Sequence, residues 1–517
     1  MVICEGVAFC VGWLVLATEH VGVLRALGWK WTDEDQVLLW LGAVDFSHLR
    51  FHEPRFYGQA YNSMAESVGA VPLLWLGVDP AVALPLVSTL ASLVAWTVLA
   101  ALAWRCGHLL VALTILALPL LIDERFLLIA TMPRGFMPGI IVSTLAATVW
   151  LWRPQARFRT LIAVFLLGCG CSLSSNAVLI AVPFGAAVLY RVFRRPAERL
   201  QIGLGVLGAA AMHGLIVLFY VLHPTYVVHP SPNTALTWQH WLASWRSFKE
   251  VFGPLLPVDA WRALLLIMAV GTIAVLGHHR TGADVWLFLL AIGVLLGVGM
   301  AAESVAVTDP DRLYMPRARF FLALPFAASI VLLLLRPRRS RITVLVAALV
   351  LAGAVLSCLQ RQCGRAEYIA SAVAQSIAAF PKQQAWAVDD ARQRCALIKR
   401  TATAAGLNLS IHWEDNRPVY ACMALNDGDF VAIFPMYERR QWLIDQLKPL
   451  QVDRLMMADV KQKDCDRLSA AHWPCVPLAE QGNGTLLVEV RFPPQPLARA
   501  MGSLMEFYGG DPADWQR

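Results

Sequence analysis

Long apolar blocks recur along the chain to about residue 357, separated by short polar loops. A membrane span needs roughly 20 predominantly apolar residues, and tilted or buried helices can be shorter. On that scale about eleven helices are expected. They cover Ile3–Leu24, Pro80–Trp104, Leu109–Ile122, Met137–Trp152, Thr160–Ser174, Asn176–Tyr190, Gln201–Leu222, Ala260–Gly277, Asp284–Met300, Phe320–Leu335 and Ile342–Cys358. The pair 160–174 and 176–190 is short and leaves a re-entrant or tilted hairpin open. Apolar residues make up 58% of the chain and charged residues 15%, with a mean hydropathy of +0.56. A soluble chain has about 45–50% and about 25%, so the composition describes a polytopic α-helical membrane protein. No A-x-A-like site follows the first block, so no cleaved signal is expected.

Arginine placement sets an orientation. Short loops carry Arg153, Arg157 and Arg159, then Arg191, Arg194, Arg195 and Arg199, then Arg336, Arg338, Arg339 and Arg341. The positive-inside rule places these loops in the cytoplasm. Alternation then puts residues 25–79, 123–136, 223–259 and 301–319 outside, together with the tail from about 359. These inside loops largely account for the net charge of +7. That charge needs no nucleic-acid partner.

From Gln360 onward charge density rises and apolar runs shorten, so two parts are read: a transmembrane domain (1–357) and an extracytoplasmic α/β domain (358–517). In the tail, Glu367–Phe380, Asp390–Ala405 and Arg439–Leu447 have helical period. Gln384–Val388, Asp429–Pro435 and Thr485–Phe492 read as strands. Of 11 cysteines, Cys358, Cys363, Cys395, Cys422, Cys465 and Cys475 lie in or at the edge of the tail. An even number outside the cytoplasm permits disulfides. Cys465 with Cys475 is the local candidate pair, and free buried thiols are the alternative.

The polar residues that carry candidate chemistry begin with Thr32-Asp33-Glu34-Asp35, just after the first span. Thr-x-x-Asp before an apolar run is a capping box, so Thr32 is expected to cap a short helix and the acids to complement its dipole. The other reading is a carboxylate base facing a membrane cavity, since acids at a bundle mouth are costly without a task. The long outer loop that follows is aromatic and polar. It contains Tyr57-Gly58-Gln59-Ala60-Tyr61 and then Glu66.

With these residues the chain resembles the GT-C class of integral-membrane glycosyltransferases, near the protein O-mannosyltransferases and the lipid A aminoarabinose transferases. That group carries an Asp-Glu pair after its first helix, and Asp33-Glu34 stand at the matching place. A second likeness is Arg312-Leu313-Tyr314-Met315-Pro316-Arg317-Ala318-Arg319, similar to the family's Arg-Tyr-x-x-Pro segment. Here an Ala separates Arg317 from Arg319, which leaves open which arginine takes the family role. The tail has no part in the resemblance.

The resemblance implies an inverting transfer of a sugar from a polyprenyl-phosphate donor to an acceptor hydroxyl. A carboxylate then serves as base opposite the leaving group. Asp33 is the first choice and Glu34 the second. Asp35, Tyr57, Gln59, Tyr61 and Glu66 are expected around the substrate. Arg317 and Arg319 are expected on the departing phosphate, a role guanidinium suits, although interface anchoring would also explain them. Asp123 and Glu124, beside Arg125, either position the acceptor or form ion pairs with Arg125 or Arg134. A divalent metal shared with Asp33 is open but has no His/Cys spacing behind it. Trp238, Trp241, Trp245, Phe248 and Phe252 fall within an arc of about 80° at 100° per residue and read as one helix lying in the interface. Asn408 and Asn483 begin glycosylation sequons.

The expected function is therefore a membrane glycosyltransferase, inserted in a bacterial inner membrane with its N-terminus inside and its tail in the periplasm. The acceptor, whether glycan, lipid or protein, is not specified. A flippase for a lipid-linked sugar and a non-catalytic assembly subunit are the rivals. Charge at the rim rather than mid-span favours rim chemistry over passage.

Overall fold

A computed structural model describes residues 2–509 apart from 60, 153–155, 194, 228–234, 278–281, 307–316, 336, 380–385, 414–416, 427–429, 436–437 and 483. The chain begins with α1 (Val2–Val23), β1 (Trp31–Thr32), α2 (Glu34–Ser47), α3 (Ala65–Trp75), α4 (Pro80–Arg105), α5 (Leu109–Leu121), α6 (Glu124–Thr131), α7 (Met137–Trp152), α8 (Arg159–Leu173), α9 (Val178–Phe193) and α10 (Pro196–Leu222). It continues with α11 (Trp238–Arg246), α12 (Phe248–Phe252), α13 (Ala260–Gly277), α14 (Ala283–Met300), α15 (Glu303–Ala306), α16 (Leu324–Leu335) and α17 (Arg341–Ala379). Among the described residues eight helical segments are long and apolar enough to cross a membrane, and α5, α7 and α8 are shorter apolar helices. The protein is an integral membrane bundle, and its helices fall on the expected blocks.

The last helix departs from expectation. The segment 367–380 is not a separate tail helix: α17 runs 39 residues without a break. At 1.5 Å per residue it is about 58 Å long, well beyond the roughly 30 Å hydrocarbon core. It therefore links the bundle to the tail as a stiff strut.

The tail comprises β2 (Trp386–Ala387), α18 (Val388–Ala404), β3 (Leu409–His412), α19 (Arg417–Leu425), β4 (Val431–Ile433), α20 (Gln441–Leu447), β5 (Gln451–Lys461), α21 (Gln462–Ala470), β6 (Cys475–Gly482), β7 (Thr485–Pro496) and α22 (Leu497–Phe507). Five strands form a mixed sheet in the order β4-β3-β5-β7-β6, parallel across its first three strands and antiparallel beyond. One face packs α22 and α21 through Ile411, Val488, Leu497, Met501 and Leu504. Two disulfides staple the domain. Cys465–Cys475 is the local pair, and Cys395–Cys422 joins α18 to α19.

The first strand-like reading in the tail takes an unexpected partner. β2 does not join the tail's sheet but pairs antiparallel with β1, Trp31 opposite Ala387 and Thr32 opposite Trp386. Val388 N then donates to Lys30 O at 2.9 Å. Around this ribbon one apolar core takes residues from both parts. Leu38, Leu41, Val44, Phe56 and Leu84 of the N-terminal half meet Ile398, Tyr420, Met423 and Trp442 of the tail. Each such side chain fully buried contributes about 1.5–3 kcal/mol, so the tail is fixed on the end of the bundle that carries the acidic cluster.

Cross-linking residues 27 apart restricts the unfolded chain by about 3–4 kcal/mol. Replacing Cys395 and Cys422 together by Ala is therefore expected to lower the unfolding midpoint of the purified protein. Non-reducing peptide mapping is expected to recover the Cys395–Cys422 and Cys465–Cys475 peptides as linked pairs.

Candidate active site

A short π-helical turn, Leu24–Gly28, ends the first span, and the two-residue strand β1 delivers the acids to the mouth of the bundle. The helix cap differs from the capping-box expectation. Thr32 is held in β1, and Asp33 is the N-cap of α2, its Oδ1 accepting from Gln36 N at 3.0 Å. The cause is the pairing with Trp386, which commits Thr32 to extended backbone and moves the cap one residue on.

Two guanidiniums hold the three acids. Arg134, from the turn between α6 and α7, places Nη2 2.6 Å from Asp33 Oδ2 and 2.9 Å from Asp35 Oδ2. Arg439, from the tail, places Nη2 2.7 Å from Glu34 Oε1 and Nη1 2.9 Å from Asp35 Oδ1. Asp33, Arg134 and Arg439 are buried. Burial raises the Asp33 carboxyl above the usual carboxylate range, against the pull of Arg134. Despite the ion pair, Oδ2 accepts no hydrogen bond among the described residues. Asp33 therefore has one oxygen on the cap and the other against Arg134, with no further partner among the described residues.

The clamps are themselves supported. Glu66 Oε2 accepts from Gly135 N at 2.6 Å, which fixes the turn carrying Arg134. Gly135 has φ +72°, a region L side chains rarely adopt, and a Cβ there would meet Ser63 O at 3.1 Å. On the other side Gly58, at φ +73°, lets the outer loop lie against the backbone of Arg439, 3.0 Å from a would-be Cβ. Tyr61 joins the pieces. Its hydroxyl lies among the charges of Asp35, Arg439, Arg319 and Arg134, and burial pushes its pKa up.

Other candidate residues have partners of their own. Tyr57 donates to Asp45 Oδ2 at 2.8 Å, and its ring meets the edge of Trp442. Gln59 is buried, with its carbonyl oxygen accepting from Tyr220. Asp123 caps α6 and pairs with Arg125 at 3.1 Å. Glu124 pairs with Arg365, which also meets buried Glu19 at 2.5 Å. Arg317 pairs with Glu250 at 3.2 Å, and Arg319 lies over Phe320. Residues 309–316 of the Arg-Tyr-x-x-Pro-like segment, including Arg312, and also Ala60 and Asn483, lie outside the described residues. Among those described, no three His, Cys, Asp or Glu side chains converge in a metal-binding arrangement.

The aromatic stripe is two short helices, α11 and α12, rather than one, with the break at Ser247. Its rings run edge and face from Trp238 through Trp241, Trp245 and Phe248 to Phe252 and on to Phe321, beside Arg317 and Arg319. In the tail, Ser410 Oγ, His412 and Asp459 fall in line at 3.0 and 3.7 Å, but Ser410 and His412 have no exposure, so the line belongs to the domain's packing.

Sequence reasoning missed Arg439 and considered Arg134 only as a partner for Asp123 or Glu124. The one available signal was electrostatic: three adjacent acids at a bundle mouth need cations close by.

No family profile and no curated relative matches the chain. A crystal structure of ArnT from Cupriavidus metallidurans in the apo state aligns over 92% of this chain and 97% of its own, with TM-score 0.54 and 10% identity. The chain shares the ArnT fold. A second ArnT structure from the same organism, bound to undecaprenyl phosphate, aligns over the same shares with TM-score 0.43 and 12% identity. The ArnT likeness extends through the tail, which the sequence motifs did not reach.

Two predictions follow from the electrostatics. Removing one partner of a buried ion pair costs about 3–5 kcal/mol, so Arg439→Ala is expected to unfold at markedly lower denaturant than Arg439→Lys. Burial pushes both Glu53 and Glu66 up to about 8 from an ordinary value of 4.5. The native state then keeps protons that the unfolded chain releases between about pH 4.5 and 8, so stability falls as pH rises through that window and levels off above it. The thermal midpoint is expected to drop from pH 5 to pH 8, and by less in Glu66→Gln. Parallel curves for the two proteins would mean that Glu66 is ionised when folded.

Proposed function

We propose that this protein is a membrane glycosyltransferase that moves a sugar from a polyprenyl-phosphate donor to an acceptor hydroxyl, with inversion. One observation carries the reading: a buried carboxylate whose Oδ2 is held by Arg134 and takes no further hydrogen bond among the described residues, at the mouth of a bundle that shares the ArnT fold. Asp33 takes the proton of the acceptor as its oxygen attacks the anomeric carbon, and the sugar–phosphate bond breaks on the opposite face. A carboxyl raised by burial is a better base than an ordinary surface aspartate. Arg134 keeps it oriented, while Glu34 and Asp35 hold Arg439 in place.

The phosphate leaves as an anion, so it needs positive charge rather than a general acid. Arg319, with its charge reaching Tyr61, belongs to this side of the site, and Arg317 lies two residues before it. The aromatic ladder from Trp238 to Phe252 gives the prenyl chain an apolar approach to the same point. The arginine-rich loops face the cytoplasm in this reading. The site and the tail, with its two disulfides, then face the periplasm, where disulfides persist.

The test is sugar transfer by the purified protein in liposomes, offered a panel of polyprenyl-phosphate sugars, with Asp33→Asn alongside. Loss of a general base typically costs 10²–10⁴-fold, and a fall of that size in a folded Asp33→Asn protein is expected. Movement of labelled donor across the bilayer without its consumption would replace the enzyme with a flippase.

A further inference from the structure

The end of the bundle opposite the acidic cluster carries charge of the other sign. α7 leaves the mouth just after Arg134 and runs 16 residues to Trp152, about 24 Å at 1.5 Å per residue. Between Trp152 and Thr160 the sequence has Arg153, Arg157 and Arg159 and no acid. Arg105, the last residue of α4, reaches the same place, its guanidinium 4.9 Å from the centre of the Trp152 ring. The Arg157 guanidinium lies 5.2 Å from the centre of the Phe158 ring. Arg159 is buried and pairs with Glu198 at 3.3 Å. Arg105 and Arg157 are exposed, and among the described residues neither meets a carboxylate.

Beside these two cations the wall of the bundle is hollow. α7 packs against both α4 and α8. A cavity of about 600 Å³ lies there, lined by Val98, Leu145, Val149, Trp152, Phe158 and Ile162 together with Arg157 and Arg159. Val98 stands about two turns before Arg105 on α4, and Leu145 about two turns before Trp152 on α7. The hollow therefore runs along the helices and ends at the arginines. Its volume falls in the roughly 300–1,000 Å³ of small-molecule sites. Thr148 brings a hydroxyl to the wall, but that hydroxyl is spent on Thr144 O at 3.0 Å. The cavity thus offers apolar contact along its length and unmatched positive charge at one end.

We infer that this groove is a binding site for an anionic phospholipid, with one acyl chain along α7 and the headgroup phosphate held by Arg105 and Arg157. Guanidinium suits a phosphate because it donates two parallel hydrogen bonds and keeps its charge. A zwitterionic lipid would fill the groove but leave the net charge of the two cations unmatched. Each basic side chain at the membrane surface favours an anionic lipid about fivefold, so the pair favours it about 10- to 30-fold. The site is at the far end of α7 from Asp33 and does not rest on the transferase reading.

The experiment titrates delipidated full-length protein in detergent with phosphatidylglycerol, phosphatidylcholine and glycerol phosphate as separate probes, and reads bound lipid by native mass spectrometry. Wild type is expected to hold one phosphatidylglycerol about 10- to 30-fold more tightly than phosphatidylcholine. The preference is expected to fall below about threefold in Arg105→Gln/Arg157→Gln. It is expected to persist in Arg199→Gln/Arg338→Gln, which removes the same charge from exposed positions in other arginine-rich loops. Val149→Trp, which fills the groove and keeps both arginines, is expected to weaken phosphatidylglycerol about 10-fold, the worth of two displaced methylenes. Equal binding of the two lipids by wild type would make the groove a surface for bulk bilayer and overturn the assignment. An equal loss in the two double variants would overturn it in favour of diffuse charge. Glycerol phosphate competing as well as the lipid would make the arginines a site for a soluble anion, and full affinity in Val149→Trp would remove the groove from the site. The comparison of probes on wild type stands whether or not a variant folds.

Discussion

Three adjacent carboxylates at the edge of an apolar bundle repel one another, and burial multiplies the repulsion. The fold's answer is to bring one guanidinium from the α6–α7 turn and a second from the tail. Most of the architecture around the mouth serves that arrangement. Glu66 and Gly135 fix the first arginine, and Gly58 makes room for the second. The β1–β2 ribbon and the shared apolar core hold the tail where its arginine can reach. A buried ion pair is a weak source of stability but a strong source of geometry, because breaking it strands a charge. The clamp therefore specifies where Asp33 stands more than it strengthens the protein.

The same logic orders the polar groups by their degree of satisfaction. Paired groups such as Glu124 with Arg365, or Asp123 with Arg125, are closed on themselves. Asp33 Oδ2 meets only Arg134 and accepts no hydrogen bond among the described residues. In a membrane protein, where unsatisfied polar groups are especially costly, such incomplete satisfaction points to chemistry.

Much of the bundle was readable in advance because a span is a one-dimensional signal: about 20 apolar residues between polar ends. The helices Met137–Trp152 and Ala260–Gly277 coincide with their expected limits. In the tail, amphipathic α18 and half-buried β7 were visible, and Cys465–Cys475 could be guessed from its short spacing. β3 and the core of β5 were not, since a strand covered on both faces shows no alternation. Cys395–Cys422 spans two helices and leaves no local trace. At the site the acids were legible and their cations were not. Arg134 lies about 100 residues from the cluster and Arg439 about 400, and no periodicity carries information over such distances. The cap moved from Thr32 to Asp33 for the same reason: a pairing with Trp386 outweighed a local preference.

The wide separation of the clamp's parts has a consequence for biosynthesis. Arg439 is 404 residues downstream of Asp35. At about 5–20 residues per second of synthesis, the acids emerge roughly 20–80 s before their second cation. For most of that interval the outer loop has neither its β-ribbon partner nor its lid of apolar residues. The nascent chain carries an acidic patch of which Arg134 can match only a part. Chains truncated anywhere in the tail before Arg439 would keep Glu34 and Asp35 without their second cation.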